Sequence, residues 1–404
     1  MDIPDDRRWA RPVFILLLAL AVLKGLRMPS RWAITQYLFT YEHGFIRRGL
    51  WGELLHRVFG TWTYYYLFLA AIGLVLLALL IAVVVRLSQR LDGAEGTAAL
   101  LAIGASPAIS FVTHLAGYLE QLVYLAVLGV FALRRRPALQ TIAAAAVAVL
   151  TPLVHEAAIF WIGPLLGLAL LRGRDDDRQP ATTRELLVVT AAILVVFAAS
   201  TSVASVFGGA SPVLADTIRV EGTGHLDIRP RQDAFGVLST APDPAADMRS
   251  RWASMDTLLD LFWSVLIFAP GTLFLTWLAV GRVRGGVNDG LASHLAAALV
   301  VAAALSPLLL HAVGWDLHRW NALSAFNAVL AALLVFGTST VARGSMLFRP
   351  TLLAVTLSVA IWGTAADLIL FDAYGANHPP FTSQIMFLYE SATTGGWSIW
   401  IPDQ

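Results

Sequence analysis

The sequence predicts an all-α fold, a polytopic transmembrane helical bundle of about eleven helices. Three observations carry this expectation. Of the 404 residues 57% are hydrophobic and only 14% charged, and the mean hydropathy is +0.69. A soluble domain carries about 25% charged residues, so this chain has too little charge to cover a watery surface of its size. Apolar runs of roughly 16 to 25 residues also recur along the chain, the length a helix needs to cross a bilayer. Finally, the alternating ten-residue segments that would signal a transmembrane barrel are missing. Backbone polar groups in hydrocarbon must be paired within their own segment, so each long run is expected to be a helix.

The first run, Val13 to Leu26, is compatible with the core of a signal peptide. LRMPSRW follows it without a small-residue cleavage site, which predicts a retained first helix over 10–26. Ten further helices are predicted over 64–86, 97–113, 117–133, 138–153, 157–171, 186–207, 257–280, 290–312, 320–341 and 351–371. Turn chemistry marks the breaks at Pro107, Gly117, Arg136-Pro137, Thr151-Pro152 and Arg349-Pro350. Pro107 and Pro164 fall inside predicted spans and are expected to kink rather than end them. Residues 1–404 form one integral membrane domain on this reading. The two halves show no matched broken helices of the kind an inverted-repeat transporter carries.

Arginine in the short loops predicts the orientation. DDRRWAR at the start, Arg86 with Arg90, RRRP at 134–137, RGRDDDR at 172–178, GRVRGG at 281–286, and Arg343 with Arg349 occupy alternate loops. These loops are expected to be cytoplasmic, and with them the amino terminus. The carboxyl terminus then lies outside, together with the first outer loop 27–63, the long outer loop 208–256 and the tail 372–404. Eight of the nine His residues, all but His294, fall on or near this outer face. In a bacterium such a chain is expected in the inner (cytoplasmic) membrane, in contact with membrane lipids. The net charge of +1 offers no bulk field for nucleic acid. The absence of Cys excludes disulfides, thiolate metal sites and cysteine nucleophiles.

Outer loop 27–63 carries Arg27, Arg31, Arg47, Arg48 and Arg57 on the face that the topology rule depletes of positive charge. Contact with lipid phosphates is one explanation and an anionic ligand another, the latter favoured by the acid and His beside them. In YEHGFIRRG, Gly44 and Gly49 are expected to let the backbone turn at both ends of FIRR. Arg47 and Arg48 present planar forks that suit phosphate oxygens. Glu42 and His43 are candidate acid/base groups, unless Glu42 merely pairs with Arg48.

Three more polar clusters belong to the same face. His155-Glu156 stands at the junction of two helices, where an ionisable pair is a candidate catalytic group or a helix cap. It is no metalloprotease motif, because position 159 is Ile. Asp316, His318, Arg319 and Trp320 share a tight turn. Asp316 and Arg319 are spaced to meet over one helical turn, and an aromatic beside Arg suits either a sugar ring or the interfacial belt. Loop 208–256 contributes Arg229 and Arg231 as candidate binding groups and is long enough to act as a lid. A lesser signal is the turn flanked by His114 and Glu120. No spacing of Asp or His announces a dedicated metal site, and the sequence leaves open whether a divalent cation assists.

A cytoplasmic start, one helix and a long polar outer loop holding an acid resemble the opening of the glycosyltransferase C superfamily. HRWNALSAFNAVLAALL, with Arg at the outer start of a late helix, is similar to a late Arg-plus-aromatic stretch of those enzymes. The resemblance covers the architecture and these two short stretches. It implies a polyprenyl-phosphate or polyprenyl-pyrophosphate sugar donor and a glycan or lipid acceptor. Glu42 would then be the base that activates the acceptor hydroxyl, while Arg47, Arg48 and Arg319 hold the donor phosphate. Glu42-His43 departs from the acidic pairs more usual there. The chain also resembles the O-antigen polymerase and ligase group, whose long outer loop carries essential Arg and His and needs no catalytic carboxylate. Transport of a lipid-linked or anionic solute is a third reading. It expects charges along mid-span positions, where this sequence has few.

Overall fold

The computed structural model describes residues 7–173, 183–239, 252–286, 290–312, 316–337 and 350–365. Among these residues the fold is all-helical, with no strand beyond one isolated bridge between Ala210 and Ser239. Helices occupy all eleven predicted runs. They begin with α1 (Arg7–Gly25), and two short helices follow in the first outer loop, α2 (Arg31–Thr35) and α3 (Gly49–Phe59). The chain continues through α4 (Tyr66–Ser88), α5 (Gly93–Gly104), α6 (Pro107–His114), α7 (Glu120–Ala132), α8 (Pro137–Val154), α9 (Ala158–Gly173) and α10 (Thr183–Phe207). It ends with α11 (Pro212–His225), α12 (Met255–Gly286), α13 (Gly290–Leu305), α14 (Leu317–Phe336) and α15 (Pro350–Ala365).

Six helical stretches among the described residues are long and apolar enough to cross a membrane, or seven if α5 and α6 form one bent span. α7, α9 and α15 are apolar but shorter. Pro107 does not kink a continuous helix, as the sequence suggested. It starts α6 at the first helical position, where its missing N–H costs nothing. Ser106 caps that helix by accepting from Ala108 N at 3.3 Å, and the α5–α6 pair bends by 42°. Pro164 does lie inside α9.

α14 is the centre of the bundle, buried on every side from Arg319 to Phe336. Leaving polar groups bare is costly in a helix surrounded by protein, and three of its polar residues are bonded to their neighbours. Ser324 Oγ donates to Ala304 O at 2.8 Å, Asn321 Nδ2 to Ser264 Oγ at 2.9 Å, and Asn327 Nδ2 to Ala303 O at 2.7 Å.

Among the described residues, some of the predicted loops meet at shared ends of helices. Arg11 donates to Gln89 O at 3.2 Å, and Arg282 lies over the Phe336 ring. These are ends the sequence assigned to the cytoplasmic set. Elsewhere Arg27 donates to His114 O at 3.0 Å, and Tyr66 Oη to Pro29 O at 2.7 Å. Gly117 (φ 85°) packs there against Pro29, where a Cβ would come within 2.6 Å of the proline ring. The sequence treated 27–63 and 208–256 as loops, but both hold helix. Besides α2 and α3, the first contains 3-10 turns at Gln36–Leu38 and Gly60–Tyr64. The second contains α11 and a 3-10 turn at Gln232–Leu238, and residues 240–251 lie outside the described residues, as does the tail 372–404. The two segments share a small core of Phe39, Ile46, Ala210, Ile218, Phe235 and Leu238, so the second lies as a cap on the first.

Candidate functional site

The site is built outward from the turn Tyr41–Gly49. Gly44 takes φ 110°, as expected of a turn glycine. The second left-handed residue is Arg48 rather than Gly49. Its φ of 62° is the one positive value on a non-glycine residue among those described. Gly49 serves packing instead, since a Cβ there would come within 2.5 Å of the Tyr41 ring. A left-handed Arg costs about 1–2 kcal/mol, and its neighbours hold it in place. Arg47 N donates to Gly208 O at 2.7 Å, and Arg47 Nη2 donates to Ser239 O, both on the cap. Burial pushes the Arg47 pKa downward against the pull of Glu156.

Turned inward by this conformation, Arg48 meets the α8–α9 junction. Its Nε and Nη2 donate to the two oxygens of Glu156 at 2.9 and 2.7 Å, a fork-to-fork pair. The Arg48 and Glu156 side chains are 10% and 17% exposed. Burial alone would raise the Glu156 pKa, but the Arg48 guanidinium reverses this and holds the carboxyl far below the usual range. His155 is buried edge-on against Trp161, with ring centres 4.7 Å apart, and its Nδ1 accepts from Ala157 N at 3.3 Å. Burial, and then the Arg48 charge, push its pKa down to about 3, so the ring is neutral. A neutral His155 is no competitor for the Glu156 carboxylate, which its Nδ1 approaches only at 3.9 Å.

The third sequence cluster joins this one. Arg319 pairs with Glu120 at the start of α7 and with Asp316 at 3.3 Å, the spacing read from the sequence. Its guanidinium also lies over the rings of Tyr118 and Trp320, at 5.1 and 5.4 Å. The Arg319 and Glu120 side chains are 4% and 1% exposed. Arg48 and Arg319 lie within electrostatic reach of each other. Three guanidiniums (47, 48 and 319) are thus gathered with three carboxylates (120, 156 and 316), a set with no net charge.

Other predicted groups stay at the rim. Glu42 and His43 are exposed, and Arg48 pairs with Glu156 rather than with Glu42, the alternative the sequence left open. His43 Nε2 instead meets Glu221 of α11 at 2.6 Å. Arg229 is exposed, Arg231 pairs with Asp233 at 2.6 Å, and neither joins the buried pairs. His318 is half-buried beside Arg319, and its Nδ1 has no hydrogen-bond partner among the described residues. Sequence reasoning passed over Glu53, which accepts from Tyr41 N at 2.9 Å and braces the turn, and underrated Glu120. The signal for Glu120 was present: an acid at the start of an apolar helix must find a cation if the helix is buried. Among the described residues no three His, Cys, Asp or Glu side chains are grouped to hold a metal ion.

No protein family, curated protein or solved structure matches this chain.

Proposed function

We propose that the chain is a multispanning glycosyltransferase of a bacterial inner membrane. It takes a sugar from a polyprenyl-(pyro)phosphate donor at the outer face and passes it to a glycan or lipid acceptor for envelope assembly. In this reading about eleven helices cross or enter the membrane, with the amino terminus cytoplasmic and the carboxyl terminus outside. The supporting observation is the meeting of Arg47, Arg48 and Arg319 with acid partners at one end of an apolar bundle.

The chemistry is displacement at the anomeric carbon with a phosphate leaving group. Guanidiniums fixed in a site with little water stabilise that departing charge. The acceptor proton goes to a carboxylate at the same face, Glu42 at the rim or Glu156 within. The packing of the 208–239 cap on the first outer loop, through His43–Glu221 and Arg47–Ser239, favours a second reading as a polysaccharide polymerase or ligase. Both readings share the donor and the leaving group.

Profiling of lipid-linked glycans in a deletion strain tests the proposal. Accumulation of one polyprenyl-linked intermediate is expected, cleared by the intact gene and not by Arg48→Ala. Full glycan assembly by Arg48→Ala and Glu42→Gln at normal protein levels would sink it. Movement of a labelled lipid-linked sugar across vesicles, with no new glycosidic bond, would turn the reading to transport.

A further inference from the structure

We propose that the Arg48–Glu156 pair is an exchange site, in which a phosphate-bearing ligand takes the Arg48 fork and releases the Glu156 carboxylate to act as the base. The inference rests on the reading that the ligand carries a phosphate. It goes further by naming what the resting pair does and which carboxylate receives the proton.

Three observations carry it. First, both donors of the fork that would grip a phosphate are already spent on Glu156, at 2.9 and 2.7 Å. An anion can take this side-on fork only by displacing Glu156. Second, the cluster is balanced at rest, three guanidiniums against three carboxylates with His155 neutral between them. An added phosphate without displacement would leave excess negative charge in a poorly solvated place, where repulsion is strong. Third, the two members of the pair are held differently. Arg48 sits in a left-handed backbone pinned by the neighbouring Arg47–Gly208 hydrogen bond and by the Gly49–Tyr41 contact. Glu156 lies in the short turn between α8 and α9, 17% exposed, and besides the Arg48 fork its carboxylate accepts from its own backbone N–H, a bond that ties it to no other element. The carboxylate is therefore the member that moves. Arg319–Glu120, 4% and 1% exposed, stays as a fixed charge behind the site.

Once released, Glu156 has lost the guanidinium that kept it a poor proton acceptor, at the moment the donor is bound. The acceptor hydroxyl oxygen then attacks the anomeric carbon and the carbon–oxygen bond to the phosphate breaks. The phosphate leaves with the bonding pair on Arg48, and the hydroxyl proton passes to Glu156.

The test measures binding of farnesyl phosphate, with inorganic phosphate as a second arm, to the full chain in detergent micelles. Glu156→Gln removes the competing charge and is expected to bind farnesyl phosphate at least tenfold tighter than the unaltered chain. Arg48→Ala should bind at least tenfold weaker, Arg48→Lys should fall between, and the Arg48→Ala/Glu156→Gln double variant should be no tighter than Arg48→Ala. In transfer assays Glu156→Gln should lower both the donor KM and kcat. An equal gain for inorganic phosphate supports the exchange and makes the phosphate group alone the ligand. Unchanged or weaker binding by Glu156→Gln, with the unaltered chain still binding, overturns the exchange and leaves the glycosyltransferase reading standing. No farnesyl phosphate binding by any of these chains overturns both.

Discussion

Two long-range pairs hold this face together, and they differ in almost everything except their chemistry. Arg319–Glu120 joins residues 199 apart in sequence and His43–Glu221 joins residues 178 apart. The first is nearly sealed, at 4% and 1% exposed, while the second stands at the rim, at 29% and 47%. A charge in a low-dielectric interior cannot be left alone without a large cost, whereas a rim charge is returned to water when its partner is lost. Position in the bundle, more than residue type, therefore decides what each pair is worth. Arg48–Glu156 lies between these extremes, buried enough to be strong and open enough to exchange.

The comparison breaks most easily at the sealed pair. Arg319→Ala strands Glu120 and should cost about 3–5 kcal/mol, read as lost expression or a steep fall in denaturation midpoint in detergent. Arg319→Met with Glu120→Leu together should recover much of that loss. If the single and double variants are equally damaged, packing rather than charge dominates there.

Next, Arg48→Ala should cost roughly 2–3 kcal/mol, since Glu156 keeps some contact with water. Arg48→Gly should be milder than Arg48→Ala by about 1 kcal/mol, because glycine accepts the left-handed backbone that alanine does not. Equal losses would remove backbone strain from the account of this turn.

Acid should sharpen the picture of the middle region. The pKa of His155 is lowered from 6.5 to about 3 in the folded chain, so below pH 6.5 the unfolded chain binds the extra proton. Stability should fall as pH drops from 6.5, by up to about 1.4 kcal/mol per pH unit from this group. Glu156, also lowered, adds to the loss in the same direction only below the ordinary carboxyl range. His155→Gln should flatten the slope between pH 6.5 and 4.5 in a denaturation series, and an unchanged slope would assign it elsewhere. The smallest effect is expected at the rim: His43→Ala should shift stability by no more than about 0.5 kcal/mol. A loss of several kcal/mol there would mean the cap depends on that contact.

Much of the fold was legible because it rests on local quantities. The long apolar runs are helical wherever the structure describes them, and some of the Arg-rich segments meet one another, as at Arg11–Gln89, Arg90–Gly337 and Arg282–Phe336. The Asp316–Arg319 pair was legible for the same reason, being a matter of helical period. Pro107 was marked as a break yet expected to kink one helix, because a proline inside an apolar run suits either a kink or a helix start, and Ser106 decided for the start. Glu42 and His43 drew the eye as a dense polar motif, yet the strained turn at Arg48 sends its own side chain inward and leaves theirs at the rim.

The sequence by itself determined that the chain is helical, that several helices can cross a membrane, and which residues are costly to bury. These follow from composition and period, which need no partner. Only the tertiary structure decided the pairings. Arg48 chose Glu156 over Glu42, and Arg319 took Glu120 as well as Asp316. A buried charge requires an opposite charge within a few ångströms, but the sequence does not say which distant helix end brings it there.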